Sequence, residues 1–117
     1  MQSEPGFWKK DAPAQALERE LAAAKNLAIV WEEGGAILGF ACGHDCGFRA
    51  YLSELIVAKS ARSRGIGRAL VEHIQDELRR RGCPVLISDV WKDAEGFYRS
   101  LGWSEPDVVL LRKRLNA

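Results

Sequence analysis

The segment from Gly65 to Arg81 constrains this chain more than any other. Ile66, Leu70, Ile74 and Leu78 recur four apart and Val71 widens the stripe, which predicts an amphipathic helix with one broad apolar face. Gly82-Cys83-Pro84 stops it, with a glycine suited to the C-cap and then a proline that cannot continue the helix. Apolar runs flank the helix, one ending at Val57-Ala58 and the next covering Val85 to Trp91. The second is nearly unbroken, as expected for a strand covered on both faces. A short helix over Asp93 to Leu101 follows, with Ala94, Phe97, Tyr98 and Leu101 on one face and Gly102 at its end. Val108 to Leu115 reads as a last strand, closing on Arg112, Lys113 and Arg114. Strand, helix, strand, helix, strand predicts a βαβ unit inside a mixed sheet.

Ahead of Lys59 the texture differs. Asp11-Ala12-Pro13 signals a helix start, a capping carboxylate followed by a proline in the first turn. Leu17, Leu21 and Ala24 continue at helical spacing, with Glu18, Arg19, Glu20 and Lys25 assigned to other faces and Asn26 as the stop. Leu27 to Glu32 and Ala36 to Cys42 then read as strands around a Glu33-Gly34-Gly35 hairpin turn. A second turn over Gly43 to Gly47 leads to a third strand, Arg49 to Ala58. The first half is a short helix followed by an antiparallel meander.

Composition narrows the function classes. The 117 residues leave room for one domain, and no repeat or linker divides them. A balance of 17 Lys+Arg against 16 Asp+Glu argues against the dense basic field of a bulk nucleic-acid binder. The longest apolar runs are strand-sized, so no membrane-spanning helix is expected. Glu4, Lys9, Lys10 and Asp11 interrupt the N-terminus, which predicts a cytoplasmic protein without a secretory segment. Three cysteines are too few for a disulfide framework. Cys42-Gly43-His44-Asp45-Cys46 resembles a metal-ligand cluster, yet Cys83 is the only other soft donor and a structural zinc site wants four, so no metal is expected.

The sharpest chemical feature is Arg62-Ser63-Arg64-Gly65-Ile66-Gly67-Arg68, between an apolar strand and the long helix. Glycines let the backbone turn tightly and approach a ligand, and the helix start offers unpaired N–H groups at a positive dipole end. Three arginines surround it. The combination predicts an anion site, most naturally for a phosphate or pyrophosphate. No lysine follows the glycines as a P-loop requires, and Leu70 stands where a dinucleotide fingerprint needs its third glycine.

The stretch Val57 to Leu70 resembles motif A of the GCN5-related N-acetyltransferases (GNAT), whose core is [RQ]-x-x-G-x-[GA]. About thirty residues on, Ala94 to Trp103 is similar to that family's A-x-x-F-Y-x-x-x-G-[FW] segment. The likeness covers roughly residues 27–115, in the manner of a short bacterial-type member with an abbreviated N-terminus. It implies an α/β (α+β) fold: a mixed, mostly antiparallel central sheet with helices on both faces, here without the family's first strand. The resemblance also implies that acetyl-CoA is the acetyl donor. Its pyrophosphate would be held by the backbone of Arg62, Ser63, Arg64, Gly65, Ile66, Gly67 and Arg68, and its pantetheine by the exposed backbone of Ile56 and Val57. Tyr98 matches the tyrosine that family members use to protonate the departing thiolate. Glu54 stands where relatives place an acid that accepts the amine proton, with Ser53 or His44 as weaker alternatives.

Trp91 departs from the pattern, occupying a position seven before the tyrosine where relatives often carry a cofactor-contacting asparagine. The short lead containing Phe7 and Trp8 leaves a sheet edge open, which predicts a homodimer that covers it. The implied reaction is direct acetyl transfer to a primary amine of a small-molecule or peptide acceptor, without nucleic acid or membrane. Two alternatives remain open on the residues: a CoA-binding module without catalysis, and an interaction protein using the basic tail. Net charge is −2 over residues 1–50 and +3 over residues 51–117, an asymmetry that the cofactor's phosphates already explain.

Overall fold

The computed structural model describes residues 14–116. Helix α1 (Ala14–Ala24) leads through a tight turn into β1 (Ala28–Glu33), β2 (Ala36–Asp45) and β3 (Ala50–Val57). Helix α2 (Ile66–Arg80), a two-residue β4 (Leu86–Ile87) and α3 (Glu95–Ser100) complete the order. The helix-start signal at Asp11 to Pro13, and Phe7 and Trp8, lie outside the described residues. The strands form one sheet in the order β1-β2-β3-β4, antiparallel except for the parallel β3–β4 pair. Among the described residues no helix is long and apolar enough to cross a membrane.

The predicted stripe of α2 is its buried face: Ile66, Leu70, Val71, Ile74 and Leu78 all lie within the core. They pack over Ala41 of β2 and Ala50 and Leu52 of β3. Close approach needs small residues beneath the helix. A Cβ on Gly39 would sit 2.9 Å from both Ile66 and Leu70, and one on Gly43 would sit 3.2 Å from Ile74. The helix stops as its sequence predicts, with Gly82 N–H donating to Arg79 O at 3.0 Å and Cys83 N–H to Leu78 O at 3.0 Å. These two bonds satisfy carbonyls that a helix end otherwise leaves unpaired. On the opposite face α1 covers β2 through a smaller cluster of Ala24, Phe40 and Cys42. Strand alternation produces this division, since Ala41 points one way and Phe40 and Cys42 the other.

Two expectations fail at the far edge. Val85 to Trp91 is not a strand covered on both faces: only Leu86–Ile87 pair, and Val85, Ile87 and Trp91 are exposed. The segment Val108 to Leu115 has no regular structure, and Val108, Val109, Leu110 and Leu111 are all at least three-quarters exposed. Its residue types suit a strand, but strand propensity is realised only against a partner edge and a packed face. Among the described residues it has neither.

Candidate active site

Between β3 and α2 the chain makes the turn that its glycines require. Ser63 (φ +69°) and Gly65 (φ +80°) both lie in the left-handed region, and Ile66 then buries as the first residue of α2. The first helical bond runs from Ala69 N–H to Gly65 O at 3.0 Å. The amides of Ile66, Gly67 and Arg68 therefore precede the intrahelical ladder, and Gly65 brings no side-chain cap to occupy them. A cradle of this kind suits a phosphate.

The surrounding charge is less free than the sequence implies. Arg64 pairs with Glu33 of β1 at 2.6 Å, and Arg68 pairs with Glu72 one turn along at 3.1 Å. Arg62 donates from Nε to Val57 O at 3.3 Å. Trp31 Nε1 donates to the same Glu33 carboxylate at 2.9 Å. That bond, with Arg64 beside it, holds Glu33 below the ordinary carboxylate range. Exposed pairs of this type are weak in water, so a bound polyanion can exchange with them.

The sheet opens next to this loop. β2 and β3 stay paired from Asp45–Ala50 to Gly39–Val57, whereas the β3–β4 ladder holds only Ala50–Leu86 and Tyr51–Ile87. Ser88 Oγ donates to Leu52 O at 2.8 Å where the two strands begin to part. Beyond it, residues 53–57 present the edge on which the resemblance puts pantetheine. Helix α3 closes the end of the cleft: Phe97 packs 3.3 Å from where a Cβ on Gly67 would stand, and Val57 lies 3.5 Å from the same point.

Tyr98 sits behind Phe97, buried, with Phe97 and Trp103 rings packed edge-on at centroid distances of 5.3 and 5.2 Å. Burial, followed by the negative charge of Glu54, pushes its phenol up to about 12.

Glu54 reaches its position through a bulge. Cys42 pairs with Glu54 and Gly43 with Leu52, so Ser53 is the extra residue on β3. A bulge of this kind breaks the alternation and turns two consecutive side chains toward one face. Ser53 and Glu54 both face the α1 side. There Ser53 Oγ lies 2.5 Å from Glu20 Oε2 and 2.9 Å from His44 Nε2, and 3.2 Å from the Cys42 carbonyl. Cys42 Sγ is 3.8 Å from the same imidazole nitrogen. Burial pushes the Cys42 thiol up to about 11, with Ser53 acting the other way and Glu20 and Glu54 adding to the rise. Tyr51 donates to Asp89, and burial followed by that carboxylate raises its phenol above the ordinary value.

Sequence reasoning missed Glu20, Tyr51 and Asp89. For Glu20 a signal existed: Leu17, Glu20 and Ala24 are three and four apart, so the carboxylate lies on the helical stripe rather than off it. Of the Cys42–Cys46 cluster, Asp45 turns instead to Arg81 (3.4 Å) and to the Gly47 amide (2.9 Å), and Cys46 is exposed.

A left-handed glycine turn at a helix start, beside a parallel strand pair that parts after two residues, suits a class of proteins that take a phosphorylated cofactor at an open sheet. The model of the Acetyltransferase (GNAT) family matches residues 1–103, and the chain belongs to that family. An acetyltransferase of Yersinia enterocolitica is 35 % identical over 106 residues, spanning 88 % of this chain and 75 % of its own length. Among solved structures, a GNAT-family protein of Xanthomonas campestris superposes with a TM-score of 0.77 at 23 % identity, over 96 % of this chain and 80 % of its own. AAC(6')-Iy, solved with the bisubstrate analog CoA-S-monomethyl-acetylneamine, gives a TM-score of 0.74 at 21 % identity, over 90 % of this chain and 83 % of its own. The protein is an acetyl-CoA-dependent N-acetyltransferase.

Proposed function

We propose that this enzyme passes the acetyl group directly to a primary amine of a small-molecule or peptide acceptor. Glu54 serves as the base and Tyr98 as the hydrogen-bond donor to the leaving sulfur. The observation that carries the reading is geometric: on its side away from β2, β3 has no strand partner beyond Tyr51 among the described residues, and α3 sets Phe97 against the Gly67 turn at the end of this open edge with Tyr98 packed edge-on behind it. Acetyl-CoA, when bound, supplies an activated thioester. The backbone from Arg62 to Arg68 holds its pyrophosphate, and Ile56 and Val57 offer main-chain bonds to its pantetheine, with Val57 O exchanging its bond from Arg62 Nε. Glu54 takes a proton from the incoming ammonium, leaving a lone pair free to attack the carbonyl carbon. After attack the nitrogen carries a second proton, which passes to solvent; as the carbon–sulfur bond breaks its electron pair goes to sulfur, and the Tyr98 hydroxyl donates a hydrogen bond to the developing thiolate.

A phenol held near 12 stays protonated at every physiological pH. Full transfer from it to a thiolate, whose acid has a pKa of about 8.5, is uphill, so stabilisation by a hydrogen bond is the better description of its role. The chain acts as one domain, in the cytoplasm, and as a homodimer that covers the outer edge of β1. Replacing Tyr98 by Phe should lower kcat by about 10²-fold with little change in acetyl-CoA affinity. Glu54→Gln should lower kcat near neutral pH and recover as pH rises toward the amine pKa of about 10, where the acceptor arrives unprotonated. Unchanged turnover in Tyr98→Phe, or no alkaline recovery in Glu54→Gln, would remove the corresponding role.

A further inference from the structure

The polar cluster beneath α1 gathers around one hydroxyl. Ser53 Oγ lies within hydrogen-bond distance of the Glu20 carboxylate, the Cys42 carbonyl and the His44 imidazole. Around it stand three metal-ligating atoms: Glu20 Oε2, Cys42 Sγ and His44 Nε2. His44 Nε2 lies 3.8 Å from both the thiol sulfur and the Glu20 oxygen, and all three donor atoms lie within 4.8 Å of one another. Ligand bonds of about 2.0–2.3 Å arranged tetrahedrally put neighbouring donors about 3.3–3.7 Å apart, so a small inward movement completes one face of a tetrahedron.

We propose that Glu20, Cys42 and His44 bind a borderline-soft divalent cation of the zinc type, with the Ser53 hydroxyl or a water as fourth ligand. The donor set selects the ion. A thiolate with an imidazole favours zinc over magnesium or calcium, which take oxygen ligands. The architecture places the donors without long reach: Cys42 and His44 are two apart on β2 and share its α1-facing side, and Glu20 comes down from the helix. On binding, a metal–sulfur bond forms as the Cys42 S–H bond breaks, and its proton passes to solvent. Neutral His44 and ionised Glu20 each contribute a lone pair, and no electron is transferred. The ion would tie α1 to the sheet where their apolar contact is small, a cluster of Ala24, Phe40 and Cys42 with Ala28 against it.

The test uses tag-free full-length protein carrying Cys46→Ser and Cys83→Ser, which leaves Cys42 as the single thiol. Zinc chloride should bind at one ion per chain, and cobalt chloride should give a thiolate-to-metal charge-transfer absorption. Adding Cys42→Ser should abolish that band. Glu20→Gln and His44→Gln, at partly exposed positions where the fold is easily kept, should each weaken zinc binding by about tenfold or more. Asp45→Asn, outside the donor set, should change it less than about twofold. Absence of stoichiometric zinc, a cobalt complex without the thiolate band, or undiminished affinity in Glu20→Gln and His44→Gln would each overturn the site. The readout is metal rather than acetyl transfer, so its failure leaves the catalytic reading untouched.

Discussion

The two sides of β3 differ sharply. Toward β2 the strand is paired from Ala50 to Val57 with Ser53 as its one interruption, and α2 lies over the joint with Val71 and Ile74 wholly buried. Toward β4 it is held by two register pairs, after which the chain diverges and ends in a segment with Leu110 75 % and Leu111 85 % exposed. On this side the indole N–H of Trp103 is buried without a hydrogen-bond partner among the described residues. The closed side is packed along the strand, and on the open side β3 has no strand partner beyond Tyr51 among the described residues. One edge of a strand cannot serve a cofactor and a neighbouring strand together. The incompleteness of one edge is thus the geometric condition for the cleft.

Mutations can break this contrast in order of size. Ile74→Ala on the closed side removes a fully buried side chain above Gly43 and should cost about 2–5 kcal/mol, read from urea unfolding. A loss under about 1 kcal/mol would mean that the closed side does not carry the stability. Gly67→Asp, at the junction of the two sides, brings a carboxylate to the phosphate cradle and a Cβ within 3.3 Å of Phe97. Acetyl-CoA affinity by calorimetry should fall about 100-fold or more, equivalent to about 2.7 kcal/mol, and unchanged affinity would remove the loop from the binding site. Leu111→Ser on the open side should shift stability by no more than about 0.5 kcal/mol in dilute monomer. A larger loss, growing with protein concentration, would show that this segment is covered in solution.

Legibility followed the same division. The stripe of α2 and its stop at Gly82 were readable because helical period and capping are local properties of the chain. The turn into α2 is legible for a similar reason, since left-handed backbone at Gly65 and a helix start at Ile66 need no distant partner. Pairing was the harder quantity. Val108 to Leu115 has strand composition, but whether it pairs depends on an edge more than twenty residues away, and its local pattern carries no information on that. The pairing of Arg64 with Glu33 depends on the β1–β2 hairpin reaching it, which no local pattern around Arg64 encodes. Glu20 was misplaced because a carboxylate on an apolar stripe was assigned by polarity rather than by spacing.

The extra residue on β3 has a consequence at the level of the gene. Strands ordinarily tolerate exchange of one side chain for another more readily than any change in their number. Here Ser53 is the one residue of β3 that no residue of β2 opposes, and it lets two consecutive polar side chains face α1. A three-nucleotide deletion removing Ser53 would restore regular alternation with Glu54 still opposite Cys42 and Leu52 still opposite Gly43, and it would take away the hydroxyl that lies between Glu20 and His44. The irregularity therefore adds a polar group to the α1 face without setting the register of the strand.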